Sequence, residues 1–244
     1  MSNDLVSCIM ATANRRPFVP LALRYWLDQE YGPSELVIVD DGPDPISDLA
    51  PQDERIRYLY LGPEQEPTGT KFNLGIEAAS GDLLALWADD DWIAPWRLSY
   101  QLWNLDQARA DVCGLDRMIF FDVRAQKAMR YWRVPGRISR AHLLGGSLLF
   151  RRSYWQERPF SPVSEGEDTR FVQGRLGERT VSTQSDGWYV AIVHGENTSS
   201  RLMDHDQYTP VSLLDVRRLM DDDFDVYAAM VQECYLSDYG SNDS

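Results

Sequence analysis

The sequence predicts an α/β protein, in which a mostly parallel sheet is flanked by helices and followed by a C-terminal helical segment. Apolar runs of strand length alternate with helical patterns through residues 1–100, and this alternation is typical of parallel strands joined by helices on both faces of a sheet. The chain has 244 residues, enough for one large domain with an appended segment. Because no linker separates the two halves, we expect one continuous domain.

In the first half, the strands and helices follow one another in a regular order. Apolar runs predict strands over 5–10, 35–39, 56–61 and 83–88. The helices are expected over 17–29 and 70–80, with a third that begins at Pro95 and places Leu98, Leu102 and Leu105 on one face. Pro17 suits the first turn of the first helix, and Gly81 suits the end of the second.

In the second half, the pattern changes to strands with fewer helices. Strands are predicted over 111–122, 127–132 and 188–193, and a short helix over 167–176. We expect an α/β domain over 1–205, a helical segment over 206–236 packed on it, and a mobile polar tail over 237–244. The acidic run 221–223 lies in this helical segment without a preceding strand, so we interpret it as a solvated helix face.

Composition limits the classes of partner. The net charge is −14, which argues against nucleic acid or an anionic membrane as an electrostatic partner. Three cysteines, far apart in sequence, form neither a disulfide framework nor a zinc pattern, so we expect a reducing cytoplasm. The sequence contains no apolar run of about 18 residues, and we therefore expect no transmembrane segment.

The strand over 83–88 ends in three consecutive carboxylates, Asp89, Asp90 and Asp91. Such acids repel one another unless a cation lies among them. Hard oxygen ligands of this kind suit Mg²⁺ or Mn²⁺, and such ions often keep phosphate oxygens as further ligands. The alternative is that the three acids solvate a loop and cap the helix that follows.

A second pair of acids, Asp40 and Asp41, follows the strand over 35–39. Ligands of open parallel sheets bind outside the carboxyl ends of the strands, so we expect both acid clusters at one rim. There, Asp41 is a candidate acceptor of hydrogen bonds from a base or ribose, and residues 12–14 (Thr12, Ala13 and Asn14) are expected to line the base. The sequence has neither GxGxxG nor GxxxxGK[ST], so it supports neither a Rossmann dinucleotide site nor a P-loop.

Lys71 lies at the N-terminus of the predicted helix over 70–80. Free backbone amides and the helix dipole favour anions at such a position. Lys71 is therefore a candidate for neutralising a diphosphate. The alternative is a surface lysine beside a capping turn.

Several of these segments together resemble the ordered motifs of family 2 glycosyltransferases, which have the GT-A fold. The segments that carry the resemblance are 6–15, 37–42, 69–75 and 87–95, and the resemblance continues through Glu167-Asp168, so that it covers roughly residues 5–200. Each motif is short, but their order and spacing make the set specific. The resemblance implies a GT-A fold, a nucleotide-sugar donor, a divalent metal (Mn²⁺ or Mg²⁺) and transfer with inversion.

The resemblance also implies roles for individual residues. Asp41 would contact the nucleobase, and the Asp89–Asp91 run would be the DxD-type site for metal and sugar-nucleotide. We expect the metal on Asp91, which lies farthest from the strand, or on Asp90. Many members have an acid at the position of Ala88 and an aromatic residue at that of Ala13. The expected nucleotide-sugar site comprises Thr12, Ala13, Asn14, Asp41, Lys71, Asp89 and Asp90.

Glu167-Asp168 matches the ED motif that supplies the catalytic base in this family. The chemistry requires one carboxylate within hydrogen-bond reach of the acceptor hydroxyl, and a transition state of oxocarbenium character is expected. Asp168 is the expected base and Glu167 the second candidate. The alternative is that these two acids, in the first turn of a helix, only interact favourably with the helix dipole and have no catalytic role.

His194 ends the strand over 188–193 and precedes a polar loop. Because several GT-A enzymes recruit a late histidine to the metal, the resemblance makes His194 a candidate third ligand. A strand-end histidine satisfied by the backbone is the alternative. His142 and His205 are weaker candidates.

The sequence thus predicts an inverting, metal-dependent glycosyltransferase that moves a sugar from a nucleotide-sugar, a UDP-sugar first, to a hydroxyl of a glycan or glycoconjugate. A catalytically silent carbohydrate-binding or assembly subunit is one alternative. It is favoured by Ala13 and Ala88, at which this sequence lacks the residues that many family members have. A sugar-phosphate nucleotidyltransferase is another. Those enzymes normally carry a glycine-rich basic loop after the first strand, whereas residues 11–16 are basic but contain no glycine.

Overall fold

A computed structural model describes residues 4–132, 143–172, 179–183, 185–195, 197–198, 203 and 207–239. His142 and His205, the two weaker histidine candidates, lie outside these residues. The predicted α/β class is confirmed, and the sheet at the centre is mostly parallel. Within the described residues, no helix combines the length and the apolar composition that crossing a bilayer requires.

The strands and helices follow the predicted order through the first half. The strands are β1 (Val6–Ala13), β2 (Ser34–Asp41), β3 (Ile56–Tyr60), β4 (Leu83–Leu86), β5 (Trp92–Ile93), β6 (Val112–Gly114), β7 (Arg117–Asp122), β8 (Lys127–Trp132), β9 (Leu149–Arg151), β10 (Thr180–Ser182), β11 (Tyr189–Val193) and β12 (Tyr208–Val211). The helices are α1 (Val19–Leu27), α2 (Thr68–Ala78), α3 (Arg97–Gln107), α4 (Arg152–Glu157), α5 (Glu167–Val172), α6 (Leu213–Met220) and α7 (Asp222–Tyr239), and a 3₁₀ turn spans Gly145–Ser147.

The larger sheet places the acid-bearing strand ends at one rim. Its strand order is β10-β6-β9-β4-β1-β2-β3. Because β1 pairs in parallel with both β2 and β4, these three strands run the same way and end together. Successive side chains of each strand face opposite sides of the sheet, and both sides are packed. On β2, Leu36 and Ile38 pack in the core that contains Trp26 of α1, whereas Val37 and Val39 pack in the core that contains Ile76 of α2.

A second sheet, which the sequence did not predict as a separate layer, has the order β12-β8-β7-β11-β5. The predicted strand over 111–122 is wrong as one element, because it is divided between the two sheets. Its first part, β6, pairs with β9 and β10 in the larger sheet. Its second part, β7, pairs with β8 and β11. Both parts are apolar and buried, so the local pattern does not reveal the crossing at Leu115-Asp116 between them.

The C-terminal segment is less purely helical than predicted. Strand β12 pairs with β8 before the helices begin, and Asp221, with a φ of +52°, separates α6 from α7. Within this segment, the side chains of Val216, Met220 and Tyr227 are buried. The solvated-face interpretation of 221–223 is wrong for Asp223, whose carboxylate binds Arg24 and accepts a hydrogen bond from Nε1 of Trp92. The division of the chain at residue 205 and the mobile tail stay predictions, although α7 continues to Tyr239.

Candidate active site

A cleft of about 450 Å³ opens at the rim where β1 and β4 end. Eight of the predicted site residues line it: Thr12, Ala13, Lys71, Asp89, Asp90, Asp91, Glu167 and Asp168. Asn14, Asp41 and His194 lie outside this lining but contact residues close to it, as described below. Side chains from both sheets and from the segment before α5 therefore meet in one concave surface.

Asp91 is directed toward the second sheet. Its Oδ1 accepts a hydrogen bond of 2.8 Å from the backbone nitrogen of Ile192, and its Oδ2 accepts one from the hydroxyl of Tyr189. Both carboxylate oxygens of Asp91 therefore have protein donors on β11. Whether Asp91 also contacts a metal stays a prediction.

Asp90 faces His194. Oδ2 of Asp90 lies 3.1 Å from Nε2 of His194 and 3.4 Å from Nδ2 of Asn197. The imidazole is 3% exposed, and its ring packs against Phe18 with a centroid distance of 4.3 Å. The backbone nitrogen of His194 donates to Oδ1 of Asn197. Both backbone and ring are therefore fixed, and the ring nitrogen is directed at the acid cluster.

The charge of Asp90 contributes to raised pKa values of its two neighbours, Asp89 and Asp91. Burial raises the pKa of Asp89 to about 7, and the adjacent charge of Asp90 adds to this rise, while Thr12 and Arg15 oppose it. Burial and the charge of Asp90 also raise the pKa of Asp91 well above its usual range, although the hydrogen bonds from Tyr189 and Ile192 act in the opposite direction. A cation among these carboxylates would favour their ionised forms.

The donor atoms at Asp90 fit a hard divalent ion. Adjacent ligands of an octahedral ion with bonds of about 2.1 Å are about 3 Å apart, which matches the 3.1 Å between Oδ2 of Asp90 and Nε2 of His194. In the part of the chain that the structure describes, this site included, no three histidine, cysteine or carboxylate side chains converge on one point. Magnesium and manganese commonly take one or two protein ligands and complete their shell with phosphates and water.

Lys71 and Asp41 form a buried ion pair. Nζ of Lys71 donates to Oδ1 of Asp41 at 2.9 Å and to the carbonyl oxygen of Thr12 at 3.1 Å. Lys71 is 5% exposed and Asp41 is 0% exposed. The other oxygen of Asp41 accepts a hydrogen bond from the backbone of Glu66. The surface-lysine alternative is therefore wrong, and the ammonium is turned toward Asp41; contacts of either residue with a donor stay predictions.

The N-terminus of α2 is closed by protein rather than open to an anion. The helix begins at Thr68, two residues earlier than predicted, and ends at Ala78 because the next residue has an extended backbone. The backbone nitrogens of Thr68 and Gly69 donate to Ser164 Oγ and the Val163 carbonyl. The expectation of free amides at this position is therefore wrong for these two groups.

The ends of β1 and β2 are joined by side-chain contacts. Ala13 pairs with Asp41 in the β1–β2 register. Asn14 has a φ of +55°, and its Oδ1 lies 3.4 Å from the backbone nitrogen of Asp44. Asp40 accepts hydrogen bonds from the backbone of Ile46 and the hydroxyl of Tyr58. These contacts give Asn14 and Asp40 structural partners; the predicted base contact of Thr12, Ala13 and Asn14 is not tested by them.

Asp168 lines the cleft from the start of α5. Its Oδ2 accepts a hydrogen bond of 3.0 Å from the backbone nitrogen of Gly145, and its Oδ1 accepts one of 2.5 Å from that of Thr169. Among the described residues, Oε2 of Glu167 is buried without a hydrogen-bond partner. Burial and the charge of Asp168 raise the pKa of Glu167 to about 7. The two carboxyl groups thus differ, with Asp168 held by two amide donors.

The 3₁₀ turn at Gly145-Gly146 connects Asp168 with the acid cluster. A Cβ on Gly145 would lie 2.5 Å from Oδ2 of Asp168, and one on Gly146 would lie 2.1 Å from the hydroxyl of Tyr189. Only glycine allows both side chains to approach the backbone this closely. The turn therefore sets the spacing between the candidate base on one side and the Tyr189–Asp91 pair on the other.

Arg97 contacts this turn from the protein interior. Its guanidinium is fully buried and donates to the carbonyl oxygens of Leu86, at the end of β4, and Gly146. Burial lowers the pKa of Arg97, and the surrounding Tyr189 and Asp91 oppose this effect. A buried cation thus joins the acid-bearing strand to the glycine turn.

Sequence reasoning assigned no role to Arg15, Arg97, Tyr189 or Asn197. Arg15 is the last residue of segment 6–15, which carries part of the family resemblance, so the sequence did indicate that it lies near the site. Tyr189 lies in an apolar run that predicts only a core strand, and Asn197 lies in a loop. Their contacts with Asp90 and Asp91 are made across about a hundred residues of sequence, and no local pattern encodes such a pairing.

Comparison with known proteins identifies related chains. The family model for glycosyl transferase family 2 matches residues 7–161. A segment of 107 residues is 30% identical to an uncharacterized glycosyltransferase of Haemophilus influenzae and covers 42% of each chain. A segment of 115 residues is 29% identical to the GalNAc(5)-diNAcBac-PP-undecaprenol beta-1,3-glucosyltransferase of Campylobacter jejuni, covering 45% of this chain and 37% of that protein. The matched segments thus span less than half of these relatives.

Solved structures share the fold. Staphylococcus aureus TarS 1-349 in complex with UDP-GlcNAc superposes with a TM-score of 0.63 at 17% identity, covering 88% of this chain and 65% of that one. Glucosyl-3-phosphoglycerate synthase from Mycobacterium tuberculosis, in complex with Mg²⁺ and UDP, gives 0.52 at 15% identity over 73% of this chain and 68% of that one. The GT-A architecture is therefore confirmed, and the chain belongs to glycosyltransferase family 2.

Proposed function

We propose that this chain is an inverting, metal-dependent glycosyltransferase that moves a sugar from a UDP-sugar to a hydroxyl of a glycan or glycoconjugate acceptor. The observation that carries the proposal is that Asp168 and the Asp89–Asp91 run line one and the same cleft. The glycine turn in contact with both gives them a defined separation. Transfer between two substrates requires such an arrangement, with one site for the departing group and one for the attacking hydroxyl.

On the donor side, Asp90 and His194 would hold Mn²⁺ or Mg²⁺. When bound, the ion supplies positive charge to the departing diphosphate. Tyr189 and the Ile192 amide hold Asp91 beside it. Asp41 pairs with Ala13 at the end of β1, and Lys71 donates to the carbonyl oxygen of Thr12; a nucleobase would approach Thr12 and Ala13 here. The structures with UDP and with metal are of other proteins, and they support this assignment only through the shared fold.

On the acceptor side, Asp168 would take the proton of the attacking hydroxyl. Amide donors from Gly145 and Thr169 hold its carboxylate in a fixed orientation, as a general base within hydrogen-bond reach of the hydroxyl requires. The family match ends at residue 161, so the assignments of Asp168, Glu167 and His194 are supported by the motif resemblance and by these contacts. The two cysteines with described side chains, Cys8 and Cys113, are free and buried, which is consistent with the cytoplasm as the proposed location.

A nucleotide panel with and without Mn²⁺ is the first test of the donor site. A nucleoside diphosphate at about 100 times its Kd should add about 2.7 kcal/mol to the free energy of unfolding. The gain should depend on Mn²⁺ in the wild type and vanish in Asp90→Asn. Asp222→Asn, which changes an exposed acid on α7, is the matched control and should retain the gain. A GDP-dependent gain would correct the base, because a GDP-mannose complex also shares this fold.

Turnover then separates the proposal from its alternatives. Incubation with the sugar nucleotide selected by the panel and a glycan acceptor should release nucleoside diphosphate and give a product of inverted anomeric configuration by NMR. Pyrophosphate formed from a nucleoside triphosphate and a sugar phosphate would instead identify a nucleotidyltransferase. Binding of a glycan without binding of any nucleotide would favour a silent subunit and contradict the proposal.

A further inference from the structure

Arg15 is a basic residue of the cleft to which the proposed function assigns no role. Its carbonyl oxygen accepts hydrogen bonds from Phe18 and Val19 at the start of α1, so its backbone is fixed. Its side chain, 12% exposed, lines the cleft, and Nε lies 3.9 Å from Oδ2 of Asp90. The same Asp90 oxygen faces His194 at 3.1 Å. Arg15 and a divalent ion bound by Asp90 and His194 would therefore compete for one carboxylate oxygen.

Lys71 is less suited than Arg15 to meet a diphosphate. Its ammonium already forms a buried pair with Asp41 and a hydrogen bond with Thr12. Breaking a buried pair leaves an uncompensated charge, which is strongly unfavourable. Arg15 instead lies beside the acid run, where a metal-bound diphosphate would be placed, and a guanidinium binds phosphate oxygens in a bidentate manner.

We propose that Arg15 is the counter-cation of Asp90 before the donor binds and a diphosphate ligand afterwards, and that it thereby couples metal binding to nucleotide binding. The inference rests on the proposed function. A divalent ion that binds alone must displace or crowd the guanidinium, which weakens its binding. Once the diphosphate is present, the guanidinium has an anionic partner of its own, so each ligand should increase the affinity of the other.

The test measures Mn²⁺ affinity by calorimetry without nucleotide and with saturating UDP, and UDP affinity with and without Mn²⁺. The variants are Arg15→Gln, which removes the charge, and Arg15→Lys, which keeps it. Arg16→Gln is the matched control, because Arg16 follows directly in sequence but binds Asp44 and Asp48 outside the cleft. Thermal unfolding of each variant establishes that it is folded before its affinities are compared.

Two changes of opposite sign are expected in Arg15→Gln. Mn²⁺ alone should bind about threefold or more tightly, and UDP in the presence of Mn²⁺ should bind about tenfold or more weakly, so that the coupling factor falls. Arg15→Lys should lie between wild type and Arg15→Gln in both quantities, and Arg16→Gln should match wild type. If Arg15→Gln does not fold, the shift of Arg15→Lys toward tighter Mn²⁺ and weaker UDP decides the question.

The inference is overturned if removal of the charge leaves Mn²⁺ affinity unchanged or weakens it, or if the coupling factor stays at the wild-type value. These outcomes differ from failure of the proposed function. If wild type binds Mn²⁺ and UDP but Arg15→Gln behaves the same, the function stands and the inference fails. If wild type binds no nucleotide, the function fails, and the coupling inference fails with it, even where Mn²⁺ binding responds to Arg15.

Discussion

Nε2 of His194 lies 3.1 Å from Oδ2 of Asp90, and the imidazole is held in this direction by Phe18 on its face and Asn197 on its backbone. We predict that His194→Asn weakens Mn²⁺ binding by about tenfold or more, because it removes the imidazole nitrogen that lies beside Oδ2 of Asp90. Electron paramagnetic resonance titration of free Mn²⁺ measures this. His205→Asn is the control for loss of a histidine, and an unchanged Kd in His194→Asn would leave the backbone-satisfied alternative.

Asp168→Asn tests the base separately from the donor site. The amide oxygen of asparagine can still accept the hydrogen bond from Gly145, whereas its amide nitrogen cannot accept the one from Thr169, so thermal unfolding must first establish that the variant is folded. Loss of a general base typically costs about 10²- to 10⁴-fold in rate, and we expect kcat to fall by that order while UDP affinity stays within about twofold of wild type. Glu165→Gln, at an exposed position three residues earlier, is the control. Loss of UDP binding in Asp168→Asn would contradict the assignment.

The sequence was sufficient for the features that depend on local pattern. An apolar run of strand length that ends in Asp89–Asp91 predicts a buried strand with acids at its tip, and β4 fulfils this. Parallel neighbours must end at the same edge of a sheet, so the convergence of the ends of β1, β2 and β4 follows from the strand assignments alone. The fold class and the location of the cleft were predictable for these reasons.

Side-chain direction was not predictable from the same patterns. Lys71 was expected to face solvent or a diphosphate, but its partner, Asp41, is 30 residues earlier in sequence. Asp91 was expected to hold the metal, but its carboxylate also accepts hydrogen bonds from donors on β11 that come 98 and 101 residues later. Hydrophobic periodicity specifies which face of a strand is buried, and it carries no information about the polar partner that a strand-end side chain will meet.

The Gly146–Tyr189 contact gives a prediction about stability and its rescue. In Gly146→Ala the new Cβ would lie 2.1 Å from the Tyr189 hydroxyl, and overpacking of this kind costs about 1–3 kcal/mol. Tyr189→Phe in the same chain removes the clashing oxygen, so the double variant should recover part of the loss measured by urea unfolding. If the losses of the two single variants simply add in the double variant, Gly146 is required for another reason.

Tyr189→Phe alone should also weaken Mn²⁺ binding if Asp91 supports the metal site.

The contacts of Asp223 attach α7 to α1 and β5, and they give a prediction about stability. Its carboxylate binds Arg24 of α1 and Nε1 of Trp92, whereas Asp222 is exposed. Loss of a hydrogen bond that leaves a partly buried donor costs about 1–3 kcal/mol, so Asp223→Ala should lower the free energy of unfolding by that order. Asp222→Ala should change it by about 0.5 kcal/mol or less. Equal effects of the two substitutions would restore the solvated-face interpretation for both residues.

Glu167 predicts a pH dependence of stability whose sign follows from its environment. Burial and the charge of Asp168 raise the pKa of Glu167 to about 7, from about 4.3 in an unfolded chain. The native state therefore holds this proton more tightly, so the contribution of Glu167 to stability is fully present below about pH 4.3 and is lost as the pH rises through about 7. Glu167→Gln remains neutral, so its stability relative to wild type should increase between pH 5 and pH 8. Urea unfolding across this range measures the difference, with Glu54→Gln at an exposed position away from the cleft as the control. Parallel curves for wild type and Glu167→Gln would show that Glu167 is ionised in the native state throughout.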